Sequence, residues 1–169
     1  MYKSLDENSI RKAYHQLTKQ FIEKKLTIST MESATSGQIA SLITDTEGAS
    51  SIFFGSFITY SNESKIQQGV PADIIETYGV YSKETARAMA KVCRESFVTD
   101  IGIGITGTMG NPDPANPGDS IPGKVFFSID FRGKVTDCCH NLPLLPSRFA
   151  YKMAVAKEIA DVLFTLIAD

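Results

Sequence analysis

The sequence predicts an α/β fold: a three-layer α/β/α sandwich in which helices cover both faces of a mixed central sheet. Two observations carry that expectation. Over the first two-thirds of the chain, short runs rich in β-branched and aromatic residues alternate with segments of helical periodicity, the pattern of strands joined by crossover helices. Later, residues 124–131 and 134–140 flank Arg132-Gly133 as the arms of an antiparallel hairpin do. A sheet that contains both kinds of pairing is mixed. The length of 169 residues suits one domain spanning 1–169, with a sizeable core.

Each element has its own signal. Residues 7–24 place Ile10, Ala13, Tyr14, Leu17, Phe21 and Ile22 at helical spacing, which predicts an amphipathic helix. Residues 26–31 alternate apolar with small polar side chains, as a short strand does. Glu32-Ser33-Ala34-Thr35-Ser36-Gly37 is a turn rich in capping residues, and a helix follows over 38–44. Residues 51–60 are aromatic and β-branched and predict a second strand. Short helices are expected around 64–68 and 72–78. Ser82 caps a longer one, with Ala86, Met89, Ala90, Cys93 and Phe97 along one face. Residues 100–106 read as a buried strand opening into a loop over 107–123, which holds Pro112, Pro114, Pro117 and Pro122. Residues 147–168 form the closing helix.

Composition narrows the function classes. The formal net charge is -2, so no global basic field holds a polyanion, and nucleic acid is not an expected partner. No stretch approaches the roughly 18 consecutive apolar residues of a membrane span. Residues 1–12 are charged and polar without an apolar core, so no ordinary secretory signal is expected. The 3 cysteines include the adjacent pair Cys138 and Cys139, which suits neither a disulfide framework nor zinc spacing. Reduced cysteines in a cytoplasmic protein are the expectation.

Ligands of such sheets sit at the carboxyl ends of strands. Glu32–Gly37, Tyr60–Lys65 and the start of the 107–123 loop all follow predicted strands, so their convergence is expected. Ser33, between a strand and a helix N-terminus, has backbone N–H groups nearby for an oxyanion. A serine hydroxyl still needs a base. The 2 histidines, His15 and His140, belong to no recognisable motif and read as structural. Lys65 is the other option, provided that burial or positive charge lowers its pKa, and Tyr60 can relay a proton or hold the lysine. On spacing alone, Tyr60–Lys65 reads instead as turn residues capping a short helix. Thr106-Gly107-Thr108-Met109-Gly110 is glycine-bearing and suited to an anion, but it is no Walker loop. Asp113 and Asp119 lie among prolines and read as turn formers. No metal and no cofactor is expected.

The ordered set Glu32-Ser33-Ala34-Thr35-Ser36-Gly37, Thr59-Tyr60-Ser61-Asn62 with Lys65, Gly79-Val80-Tyr81-Ser82, Ile105–Gly110, Gly123-Lys124-Val125 and Arg148 resembles the C-terminal domain of the CinA (competence/damage-inducible protein) family. The resemblance runs from about Glu7 to the end. That family includes stand-alone nicotinamide-nucleotide amidases. The resemblance implies an α/β/α fold and hydrolysis of the carboxamide of nicotinamide mononucleotide to nicotinate mononucleotide and ammonia, in NAD recycling. It implies Ser33 as nucleophile, Lys65 as base and Tyr60 as the third catalytic member. Thr35, Ser36, Gly37, Thr106, Gly107, Gly110 and Arg148 are the substrate-binding candidates, with Arg148 suited to a phosphate. Four positions depart from the family pattern and bear on substrate fit: Ala34, Ser36, Met109 and Asn111. Two alternatives stay open, an amidase for another small amide and a catalytically weak paralogue that binds a nucleotide or protein. A small-molecule nucleotide is the expected partner, and a homo-oligomer is compatible with the sequence. The chain has no room for the large N-terminal domain of many family members, so that domain's activities are not expected.

Overall fold

The structure, a computed structural model, describes residues 6–168. The charged start and the last residue of the expected 1–169 domain lie partly outside that range. In order, the described elements are α1 (Glu7–Lys24), β1 (Ile28–Glu32), α2 (Gln38–Thr44), a 3-10 turn (Ala49–Ser51), β2 (Phe53–Ile58), α3 (Asn62–Gln67), α4 (Ala72–Tyr78), α5 (Lys83–Phe97), β3 (Ile101–Gly107), β4 (Lys124–Phe131), β5 (Lys134–Asn141) and α6 (Arg148–Leu166). The 5-stranded sheet has the order β2-β1-β3-β4-β5. β1 pairs parallel with both β2 and β3, whereas β3–β4 and β4–β5 are antiparallel. The sheet is therefore mixed, as the sequence predicts.

Helices pack on both of its faces. On one, Ile10, Tyr14, Leu17 and Phe21 of α1 join Ile28 of β1, Ile101, Ile103 and Ile105 of β3, and Met153, Ile159 and Leu163 of α6 in one core. Each of these side chains contributes roughly 1.5–3 kcal/mol by leaving water. The Tyr14 hydroxyl donates to the Ala156 carbonyl at 2.9 Å, so this buried polar atom ties α1 to α6.

On the other face a smaller core gathers Met31, Val70, Ile75, Val80, Met89 and Cys93. Here α5 lies almost directly on β3, because the residues of β3 that point toward it are glycines. A Cβ on Gly102 would stand 2.2 Å from the Ala90 carbonyl oxygen, and one on Gly104 would stand 2.1 Å from that of Ala86. The alternation Ile-Gly-Ile-Gly-Ile thus builds one face from bulk and the other from its absence.

Element boundaries differ from the predicted ones for local reasons. β1 begins at Ile28, because Leu26 N–H donates to the Phe21 carbonyl and closes the end of α1, while Thr27 bonds Asp100. It runs on to Glu32, whose carboxylate is buried. β2 stops at Ile58, just before Thr59 N–H donates to the Glu32 carbonyl. α3 begins at Asn62 because Ser61 and Ser64 form a reciprocal capping box.

Candidate active site

The site is built where the parallel strands end. Glu32 closes β1 and turns its carboxylate into the following turn. It accepts from Thr35 Oγ1 at 2.7 Å, from Thr30 Oγ1 at 3.1 Å, and from the N–H groups of Gly37, Ile39 and Ala40 at 3.0, 3.2 and 2.9 Å. These backbone donors are the orphan N–H groups at the start of α2, so a side chain before the turn does the work of a cap. Ser36 (φ 54) and Gly37 (φ 91) take the left-handed conformations that fold the chain back toward α2. Ser33 N–H donates to the Ile105 carbonyl at 3.0 Å and pins the serine against β3.

This network leaves only part of the turn's backbone donors available for an oxyanion. Those of Ser33, Gly37, Ile39 and Ala40 are engaged. Thr35, Ser36 and Gly37, candidates for substrate contact, shape the turn instead and do not line the cavity in front of Ser33.

Lys65 reaches Ser33 from the next strand end. The capping box fixes the start of α3, and Lys65, one turn in, points inward with 1% of its surface exposed. Its Nζ lies 3.1 Å from Ser33 Oγ and donates to the Thr59 carbonyl at 2.9 Å. Burial lowers its pKa from 10.5 to about 8, against the opposing pull of the Asp113 and Glu63 charges. Lysine and serine are therefore in contact, and the lysine is poised to shed its proton.

Tyr60 stands elsewhere. It is 63% exposed, and its hydroxyl accepts from Arg148 Nη2 at 3.0 Å. Arg148 is the first residue of α6, whose N-cap Ser147 accepts from Ala150 N–H. Tyr60 and Arg148 thus meet at the rim, while Ser33 and Lys65 meet beneath it.

The cavity that Ser33, Tyr60 and Arg148 share measures about 520 Å³, and Lys65 reaches it through Ser33 without lining it. Much of its wall comes from the end of β3 and the loop that follows, beginning with Gly107, Thr108 and Met109. Thr106 is buried and donates to the Val80 carbonyl, and Gly110 lies against Tyr151; neither lines the cavity. The loop is clipped at its base: Thr108 N–H donates to the Lys124 carbonyl at 2.9 Å, and Gly123 N–H is shared between the carbonyls of Thr108 and Met109 at 3.0 and 2.7 Å. His15 bonds Thr46, and His140 stacks on Phe127; neither lines this cavity. Among the described residues, no group of three or more His, Cys, Asp or Glu side chains is arranged to hold a metal ion, and no helix is long and apolar enough to cross a membrane. All three cysteines are free.

A buried serine–lysine pair at the carboxyl edge of such a sheet invites comparison with known proteins. Residues 10–165 match the family model of the CinA C-terminal domain. The chain belongs to the CinA family. A CinA-like protein of Gemmatimonas aurantiaca is 38% identical over 141 residues, which is 83% of this chain and 32% of that protein. A Moorella thermoacetica protein, whose name describes it as competence-damage inducible, is 42% identical over 114 residues, 66% of this chain and 27% of its own. The chain thus spans under a third of the length of these curated relatives. A CinA superfamily protein from Klebsiella pneumoniae superposes with a TM-score of 0.85 at 19% identity, covering 94% of this chain and 98% of the other, which shows the shared fold.

Within this CinA-family fold, several site residues lie outside those the sequence singled out. Glu32 is one; its signal is a carboxylate directly before a turn full of donors. Tyr81, Asn62, Asp113 and Asn116 are others, and these four line the cavity. Tyr81 Oη donates to Asp113 Oδ2 at 2.5 Å, Asn116 Nδ2 donates to the same oxygen at 2.7 Å, and Asn62 Nδ2 donates to Asn116 Oδ1 at 2.9 Å. Asp113 does form a turn, accepting from Ala115 N–H at 3.0 Å, but it is also part of the wall. Asp119 faces Gly79 instead.

Proposed function

We propose that this protein is an amidohydrolase that cleaves the carboxamide of nicotinamide mononucleotide, with Ser33 as nucleophile and Lys65 as its base. The observation that carries the reading is the buried Lys65 Nζ, 3.1 Å from Ser33 Oγ, in a chain whose histidines lie away from the cavity. A lysine whose pKa is lowered to about 8 has an appreciable neutral fraction near neutral pH, which a general base needs.

The neutral lysine takes the Ser33 proton as Oγ attacks the amide carbon. Ala34 and Thr35, whose N–H groups enter no hydrogen bond among those described, follow the nucleophile in the chain and are the donors left for the oxyanion. The tetrahedral intermediate collapses as Lys65 returns the proton to the leaving nitrogen, so ammonia departs and an ester to Ser33 remains. Water, deprotonated by Lys65, attacks that ester; nicotinate mononucleotide leaves, and Ser33 recovers its proton. Gly107 and Arg148 contact the substrate, and the Arg148 guanidinium, held by Tyr60 at the mouth, receives the phosphate. Tyr60 acts by placing Arg148.

The test is ammonia release from nicotinamide mononucleotide by wild type and Ser33→Ala. Wild type is expected to turn over, and the variant to lose about 10³-fold or more. Equal rates in the two proteins would remove Ser33 as nucleophile. Folded wild type that releases no ammonia would exclude this substrate and turn attention to another amide or to a binding role.

A further inference from the structure

We propose that Asp113 selects the substrate by charge, so that this cavity favours an amide borne on a cationic ring over the same amide on a neutral one. The inference rests on the amidase reading above and adds a specificity determinant to it.

The cavity divides its charges. Arg148 is the cationic side chain of its lining, and Tyr60 holds it at the rim. The anionic side chains of the lining are Glu63 and Asp113. They are not equivalent. Glu63 is exposed, whereas the Asp113 carboxylate is fixed by Tyr81, Asn116 and the Ala115 N–H. Those donors also keep its carboxyl below the usual carboxylate range, so it stays ionised at neutral pH. Tyr81 remains a donor, since burial and the bond to Asp113 push its hydroxyl well above the usual value. Asp113 Oδ1 accepts a single described bond, from Ala115, and keeps acceptor capacity toward the cavity.

Asp113 also lies close enough to the reaction centre for its charge to act on Lys65. An amide carbonyl seated at Ser33 places the ring that carries it next to this pair, within the same field. A turn-forming aspartate has no need of such a position, and a cavity wall built only for a neutral aromatic ring has no need of a fixed carboxylate. With Arg148 at the other charged position, the cavity matches a substrate that is cationic at the ring and anionic at its far end.

The measurement is calorimetric binding to the Ser33→Ala protein, where turnover does not interfere. The ligands are nicotinamide mononucleotide, with its pyridinium charge, and its 1,4-dihydro form, which has the same amide, ribose and phosphate on a neutral ring. The cationic form is expected to bind about tenfold more tightly, a difference of roughly 1.4 kcal/mol. Adding Asp113→Asn is expected to bring the two affinities together, since asparagine keeps the shape and an acceptor for Tyr81 but lacks the charge. Adding Arg148→Met instead weakens both ligands and keeps the preference.

A preference that survives Asp113→Asn, with both ligands equally weakened, would assign Asp113 to holding the loop and overturn the inference. So would equal binding of the two forms by Ser33→Ala itself. If neither nucleotide binds, the substrate reading falls and the inference with it. Asp113→Ser removes the charge and retains a turn-forming hydroxyl, giving the same readout should the asparagine variant not fold.

Discussion

At neutral pH, Lys65 shares one proton between two unfavourable alternatives: a charge buried beside Ser33, or a neutral amine that must give up its preferred form. With its pKa lowered by burial to about 8, the neutral amine holds roughly a tenth of the population at pH 7. The base form is the unprotonated one. Ammonia release, measured as kcat/KM from pH 6 to 9.5, is therefore expected to rise through a midpoint of about 8 and level off above it. Lys65→Met is expected to lose at least about 10³-fold and to abolish that limb; a variant with the wild-type pH profile would assign the titration to another group. At this scale the sequence is readable where a residue acts through its own chemical type. Ser33 and Lys65 are singled out by the family resemblance of their motifs, and the structure brings the two side chains into contact. Glu32 and Asp113 are not, because each looks like an ordinary turn carboxylate until the donors around it are placed. Thr35, Ser36 and Gly37 err in the opposite direction: they sit in the right motif, yet the Thr35 side chain and the N–H groups of Ser36 and Gly37 are spent on the turn itself.

Among the elements, β3 and α5 depend on each other most closely. The helix can approach only because Gly102 and Gly104 present no side chain to it. Gly104→Ala would set a methyl group 2.1 Å from the Ala86 carbonyl oxygen, a backbone atom that moves only with the helix. The expected cost is about 3 kcal/mol or more, read from urea denaturation. Gly133→Ala supplies the contrast: its Cβ meets open space, and the loss is the roughly 1 kcal/mol of a left-handed backbone at φ 90. Similar losses in the two variants would show that α5 yields freely and that the contact is not tight. The helices themselves are legible from periodicity, since α1, α2 and α4 occupy the residues that their apolar stripes and caps indicate. Which face of β3 receives α5 is not legible from alternation alone. Isoleucine and glycine are both buried there, one by filling space and the other by vacating it.

At the scale of the molecule, the cavity draws its walls from the turn after β1, the start of α3, the loop after β3 and the first residue of α6. A ligand that touches all of these links segments that unfolding would scatter. Nicotinamide mononucleotide at about 100 times its Kd should stabilise Ser33→Ala by roughly 2.7 kcal/mol, a rise in Tm of about 5–10 °C. A Tm that ignores the nucleotide at that concentration would mean that these walls do not close on it. The mixed character of the sheet is predictable from a late hairpin following alternating strands and helices, but the order β2-β1-β3-β4-β5 depends on pairings between distant segments, which local patterns do not encode. The clip at the base of the loop after β3 reaches further. Because Thr108, Met109, Gly123 and Lys124 close that loop on themselves, its ends stay in place whatever residues lie between them. Doubling the length of a flexible loop costs only about 0.6 kcal/mol in closure entropy. Insertions and replacements within it can redraw the wall that meets the substrate while the serine–lysine contact stays intact. A mutant library confined to this stretch, with Asp113 kept because its charge acts on Lys65, is therefore expected to change which ligands bind while the Ser33–Lys65 contact persists.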